Sequence, residues 1–196
     1  MRRRISLALG VAVLLMLTGC ANSDLAEQFR AGTGKGYVAG NGTITEIPID
    51  DRGAPITFTG ELDSGATFAS DEFAGSVMVV NFWYAGCAPC RAEAPDLQAV
   101  SEQFAGEDVQ FVGVNVRDQP ATARAFAETY GVTYPSILDA NDAQAMLAFS
   151  GVVAPNAVPT TIVLDRQHRV ASRILGQISA RSILESLIES AMAEPA

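Results

Sequence analysis

The sequence predicts an α/β fold: a central mixed β-sheet flanked by helices, with an N-terminal β-hairpin extension. Three observations carry this expectation. Val77 to Trp83 is apolar almost throughout, as a central strand buried on both faces requires. Two further strand-like runs follow, Val109–Val116 and Val158–Leu164. Between these runs, apolar residues recur three and four positions apart, the spacing of a helix packed on one side. Strands alternating with helices, closed by a hairpin and a last helix, make an α/β layer.

In chain order, Arg2, Arg3 and Arg4 form a positive start and Ile5–Leu17 an apolar run of thirteen residues. A membrane span needs roughly 20 residues. The run instead suits the apolar region of a signal peptide. It ends in Leu17-Thr18-Gly19-Cys20, which resembles the bacterial lipoprotein cleavage box. That resemblance implies cleavage before Cys20 and acylation of its thiol, giving a signal peptide over 1–19. An ordinary secretory signal with an incidental cysteine is the alternative. Residues 20–43 are rich in Gly, Ala, Ser and Asn and read as a flexible tether. The folded domain is expected over 44–196.

Within it, Ile44–Ile47 alternates like a strand. Ile56–Leu62 and Ala66–Ala69 flank Asp63-Ser64-Gly65 as a hairpin. Ser70 is expected to cap a short helix closed by Gly75. Arg91–Phe104 reads as a helix that Pro95 should kink. Pro120–Tyr130 is a second helix ended by Gly131. Tyr134–Leu138 is a short strand and Asp142–Phe149 a helix. Arg169–Leu175 pairs with Val158–Leu164 across a turn holding His168, the single histidine, read as a solvated turn residue. Ser179 is expected to cap a terminal helix whose Ile183, Leu184, Leu187 and Ile188 lie on one stripe.

Acidic residues outnumber basic ones 22 to 13, for a net charge of −9. Phosphate repels such a chain, so nucleic acid is not an expected partner. The three cysteines, Cys20, Cys87 and Cys90, are too few for a disulfide-stapled scaffold. Cys87 and Cys90 stand two residues apart, after an apolar strand and before a helix. Such a pair can close a redox-active disulfide or supply half of a zinc site. Zinc would need two more ligands, and His168 and Cys20 are the poor remainder.

With Asn81-Phe82-Trp83 before Cys87-Ala88-Pro89-Cys90, and Val158-Pro159-Thr160 about seventy residues on, the chain resembles thioredoxin-fold proteins. More narrowly it resembles the membrane-tethered TlpA/ResA-like thiol-disulfide oxidoreductases, from about Pro55 to the C-terminus. Val114-Asn115-Val116, Tyr130-Gly131-Val132 and Asp165 add to the likeness. The resemblance implies an enzyme anchored to the cell membrane, facing its extracytoplasmic side. It implies reduction of disulfide-bearing proteins, such as the haem-site cysteines of apocytochrome c in cytochrome c maturation. A membrane thiol carrier would recharge it, and no cofactor is implied beyond the Cys87–Cys90 disulfide. Gly86 departs from the family, which often has Trp there, and Gly151–Val158 looks longer than usual.

Cys87 is expected at the turn before the helix, where unpaired N–H groups and the helix dipole stabilise a thiolate. It is the expected nucleophile, and Cys90 the resolving thiol. Glu93, three residues on, matches a glutamate of the TlpA/ResA-like motif. If partly buried, its carboxylate would have a raised pKa and accept a proton from Cys90; otherwise it is a solvated acid on a first helical turn. The resemblance makes Pro159 a cis proline facing the cysteines. Val158 and Trp83 are the accompanying candidates for substrate contact, although Trp83 suits a core position equally well. Three other functions remain: an oxidising, disulfide-forming protein, a copper-delivery module and a thiol peroxidase of the redoxin type. Copper delivery would favour a wider cysteine spacing and a distal histidine. The peroxidase motif, with its proline and threonine, is absent from Phe82–Gly86.

Overall fold

The computed structural model describes residues 44–153 and 157–195. The signal peptide, Cys20 and the tether read from the sequence lie outside the described residues.

Seven consecutive buried residues, Val77–Trp83 (β4), form the strand on which the main sheet is built. That sheet has six strands in the order β1-β8-β7-β4-β5-β6. These are Ile44–Glu46 (β1), Val109–Asn115 (β5), Ser136–Leu138 (β6), Thr160–Leu164 (β7) and Val170–Leu175 (β8), around β4. β4, β5 and β6 run parallel, whereas β7, β8 and β1 pair antiparallel. Thr59–Glu61 (β2) and Thr67–Ala69 (β3) form a separate two-stranded hairpin, the expected extension.

The period-two alternation of β4 assigns its two faces. Val77 and Val79 pack with Leu97 and Val100 of helix α1 (Ala88–Gln103), with its C-cap Phe104, and with Leu184, Leu187 and Ile188 of α4 (Arg181–Met192). Met78, Val80 and Phe82 pack on the other side with Phe58 and Phe68 of the extension and Phe149, beyond α3 (Gln144–Ala148). Helix α2 (Pro120–Tyr130) contributes Ala123 and Phe126 to a third cluster that includes both site cysteines. Gly131 ends α2 at φ 70°, a left-handed cap.

Several local expectations change. α1 begins three residues before Arg91 and runs through Pro95. The strands at 56–62, 134–138 and 158–164 are shorter than expected. Ser70 caps nothing. It is buried, and its Oγ accepts the Phe58 N–H at 3.0 Å, tying the hairpin together instead. Ser179 does not cap α4 either, for Ala180 holds that position in extended conformation. The reason lies one residue earlier. Ile178 is buried and its N–H is held by Glu93, so the chain leaves that anchor extended before a helix can start. His168 is buried at 6% exposure with φ 57°, not solvated. The chain entering the extension lies across its turn, where the Ile56 N–H donates to the His168 carbonyl at 2.9 Å.

Candidate active site

β4 leaves the sheet at Trp83, and α1 begins at Ala88; the turn between carries Cys87. Cys87 is the N-cap of α1, and its Sγ accepts the Cys90 N–H at 3.2 Å. Pro89 has no N–H to offer, so the Cys90 amide is the helix-end donor aimed at the sulfur. A thiolate at this place gains that hydrogen bond and the positive end of the helix dipole. Cys87 and Cys90 are joined in a disulfide. Cys87 is 4% and Cys90 2% exposed, so approach to the pair is through Cys87, beside exposed Gly86, Ala88 and Pro89.

Glu93 is fully buried at 0% exposure. Three residues past Cys90, it sits nearly one helical turn further along a similar face. Its Oε1 accepts from Asn81 Nδ2 and its Oε2 from the Ile178 N–H, each at 2.9 Å. No cation pairs with it among the described residues. Burial pushes its pKa up to about 7, against the lowering effect of the Ile178 and Asn81 hydrogen bonds. A carboxyl group poised there exchanges protons near neutral pH. Burial and the Glu93 charge likewise raise the Tyr134 hydroxyl.

Asn81 Nδ2 also donates to Thr161 Oγ1 at 3.1 Å, linking α1 through β4 to β7. The Val158–Pro159 bond is cis. Thr160 pairs with Phe82, so Pro159 stands opposite Trp83 at the end of the sheet that carries the cysteines. Val158 packs, half-buried, against the cluster of Trp83, Cys87 and Cys90. Trp83 itself is buried. Its ring lies 4.2 Å from that of Phe126, and its Nε1 donates to Ser136 Oγ at 3.2 Å. Gly113 leaves room for that bond, since a Cβ there would meet Trp83 Nε1 at 2.7 Å. Trp83 thus belongs to the core directly behind the cysteines. A cavity of about 10 Å³, the size of one water, lies beside Cys90, Asn81, Trp83, Tyr134 and Ser136.

The redoxin family model matches residues 50–188, most of the chain. The chain belongs to the redoxin family. It is a thiol-disulfide oxidoreductase of the TlpA/ResA-like kind on a thioredoxin-like fold. It is similar to the thiol-disulfide oxidoreductase ResA of Geobacillus thermodenitrificans, 25% identical over 187 residues, 95% of this chain and 97% of that protein. Among solved structures it is similar to a DsbF homologue from Corynebacterium diphtheriae. The TM-score is 0.70 and the identity 35%, covering 79% of this chain and 96% of that one. A secreted thiol-disulfide isomerase from Corynebacterium glutamicum matches with TM-score 0.68 and 31% identity, over 78% and 96%.

In this redoxin the sequence-predicted residues Trp83, Cys87, Cys90, Glu93, Val158 and Pro159 all come to one end of the sheet. Sequence reading missed the residues that hold them. Asn81 was legible only as part of the Asn81-Phe82-Trp83 likeness and Thr161 only as a polar interruption of a strand-like run, neither as a partner of the site. Asp118 was not singled out at all, yet its Oδ2 accepts the Ala85 N–H at 2.6 Å and Asn115 Nδ2 at 2.9 Å. These bonds fix the turn before Cys87. Arg91 Nη1 donates to the Ala85 carbonyl at 3.1 Å on its outer side. Gly86 also acquires a physical account: a Cβ there would stand 3.2 Å from the Tyr84 ring, which lies against that position.

Proposed function

We propose that this protein reduces disulfides in extracytoplasmic proteins through its Cys87–Cys90 dithiol, with apocytochrome c haem-site cysteines as the substrate class. The observation that carries the reading is Glu93: buried, without a cation, and raised to about pH 7 beside the helix that bears both cysteines. In the reduced protein the Cys87 thiolate attacks a substrate sulfur. A mixed disulfide forms and one substrate thiolate leaves, taking up a proton from solvent. Glu93 accepts the Cys90 proton. The Cys90 thiolate then attacks Cys87 Sγ, the Cys87–Cys90 disulfide closes, and the second substrate thiol is released. Two electrons pass to the substrate, and a membrane thiol carrier supplies two more to reduce the Cys87–Cys90 disulfide again.

Val158 and Pro159 are the proposed contacts around the scissile disulfide, and Trp83, buried behind the cysteines, is proposed to support them rather than touch substrate. Cys20 is proposed to carry the lipid anchor, with 20–43 as its tether. No helix among the described residues is long and apolar enough to cross a membrane. The secreted location in the name of the Corynebacterium glutamicum relative supports an extracytoplasmic site of action. The TlpA/ResA-like resemblance supplies the apocytochrome c substrate.

The reduction potential tests the direction. Equilibration against a dithiothreitol or glutathione series should give a value below about −200 mV, towards that of a reducing thioredoxin. A value near about −120 mV, that of a strong disulfide-forming oxidant, would contradict it.

A further inference from the structure

Two guanidinium groups converge on the turn before Cys87. Arg117 lies with its Cζ 4.2 Å from the centre of the Tyr84 ring. That ring stands against Gly86, one residue before the nucleophile. Arg91, one helical turn beyond Cys87, reaches back to the Ala85 carbonyl. Both arginines are exposed. The backbone beneath Arg117 is fixed, because its N–H donates to Asn115 Oδ1 at 3.1 Å and the Asp118 N–H to the same oxygen at 2.8 Å. Asp118 is the acid in this turn, and its Oδ2 is engaged by the Ala85 and Asn115 amides.

Neither Arg91 nor Arg117 is in an ion pair among the described residues; Arg124, Arg166 and Arg173 are likewise without one but donate to carbonyls away from the turn before Cys87. What sets Arg91 and Arg117 apart is their place, on the Ala85 carbonyl and the Tyr84 ring of the turn that leads into Cys87.

We propose that Arg91 and Arg117 select substrates carrying Asp or Glu directly beside the cysteine to be reduced. This rests on the thiol-disulfide reading above and names a feature of the substrate that the reading leaves open. The acidic body repels a polyacidic chain at long range, so the two arginines reward one carboxylate held close to the reacting sulfur. The absence of a side chain at Gly86 lets the Tyr84 ring, and Arg117 upon it, come up against the residue preceding Cys87.

The test compares two peptide disulfides identical except for Asp or Asn beside one cysteine, with the full chain recharged by dithiothreitol. The ratio of their kcat/KM values is the readout. At low salt the wild type should favour the Asp peptide by about fivefold, the scale of exposed ion pairs. The preference should fall towards unity at high salt, as screening requires. The double variant R91A/R117A should lose it. R91K/R117K, which keeps both charges, should retain a preference for Asp, separating charge from the shape of the turn. Equal kcat/KM for both peptides in the wild type, or an undiminished preference in R91A/R117A, would overturn the inference alone. Turnover of neither peptide would overturn the thiol-disulfide reading and this inference with it.

Discussion

Glu93 and Asp165 are both buried carboxylates, at opposite ends of β7, and they behave in opposite ways. Glu93 reaches that strand through Asn81 and Thr161, near the cysteines. Asp165 follows the strand's other end and accepts from Arg52 at 2.8 Å and from the Arg169 side chain at 2.9 Å. Burial pushes both carboxyl groups up. At Asp165 the Arg169 backbone N–H and the Arg52 and Arg169 guanidinia more than offset it, and the pKa falls below the ordinary carboxylate value. At Glu93 two neutral amides are the partners, and the pKa stays near 7. Arg52 also pairs with Glu194, joining the start of the domain to its C-terminal end. A buried carboxylate given cations stays charged; one given only neutral amides has its pKa raised to about neutrality.

The Glu93 end should give the largest effect on chemistry. Cys87→Ser should abolish turnover in a disulfide-reduction assay. Cys90→Ser should accumulate mixed disulfides through Cys87, visible by mass spectrometry. Full activity in Cys90→Ser would remove the dithiol mechanism.

The Asp165 end should give the largest effect on stability. Arg52→Ala leaves Asp165 with Arg169 as its remaining cation and should cost about 1.5–3 kcal/mol in urea unfolding, the scale of hydrogen bonds to a charged group, with turnover per folded molecule intact. Asp165 has a lowered pKa, so its stabilisation is present above pH 3.8 and is lost as pH falls through the folded-state value. A loss under about 1 kcal/mol would mean that the cluster is not a structural anchor.

Glu93 should show the opposite pH dependence. Its folded pKa lies above its ordinary value of 4.5, so its contribution is fully present below 4.5 and is lost as pH rises through about 7. The wild type should therefore lose roughly 3 kcal/mol between pH 4 and 8 from this group. Glu93→Gln should remove that slope and slow exchange about 100-fold at neutral pH. A variant with the wild-type slope and rate would return Glu93 to the role of a structural acid.

The smallest effect is expected behind the cysteines. Trp83→Phe removes the Nε1 donor to Ser136 and should cost about 1 kcal/mol in denaturant unfolding. A loss of exchange rate far beyond that would make Trp83 a direct substrate contact.

What the sequence disclosed was whatever is local. The seven-residue β4, the Gly131 cap and the stripe of α4 follow from neighbours a few residues away. The Cys87–Cys90 pair is likewise a local motif at a helix start. Glu93 was legible as a candidate but not as a buried acid, because its partners are Asn81, 12 residues before it, and Ile178, 85 residues after. His168 differs from its expectation for the same reason, since the segment at Ile56 that bonds to its carbonyl is distant in sequence. Ser70 and Ser179 show the limit of capping signals: a buried hydroxyl satisfied across a hairpin, and an anchored neighbour, each displace the cap.

The most direct measurement is a carbon-13 NMR titration of the Glu93 side-chain carboxyl in the disulfide form, from pH 3 to 10. A midpoint near 7 is predicted, from burial without a cation. A midpoint at the ordinary glutamate value of 4.5 would show a solvated acid and contradict the proton-transfer role.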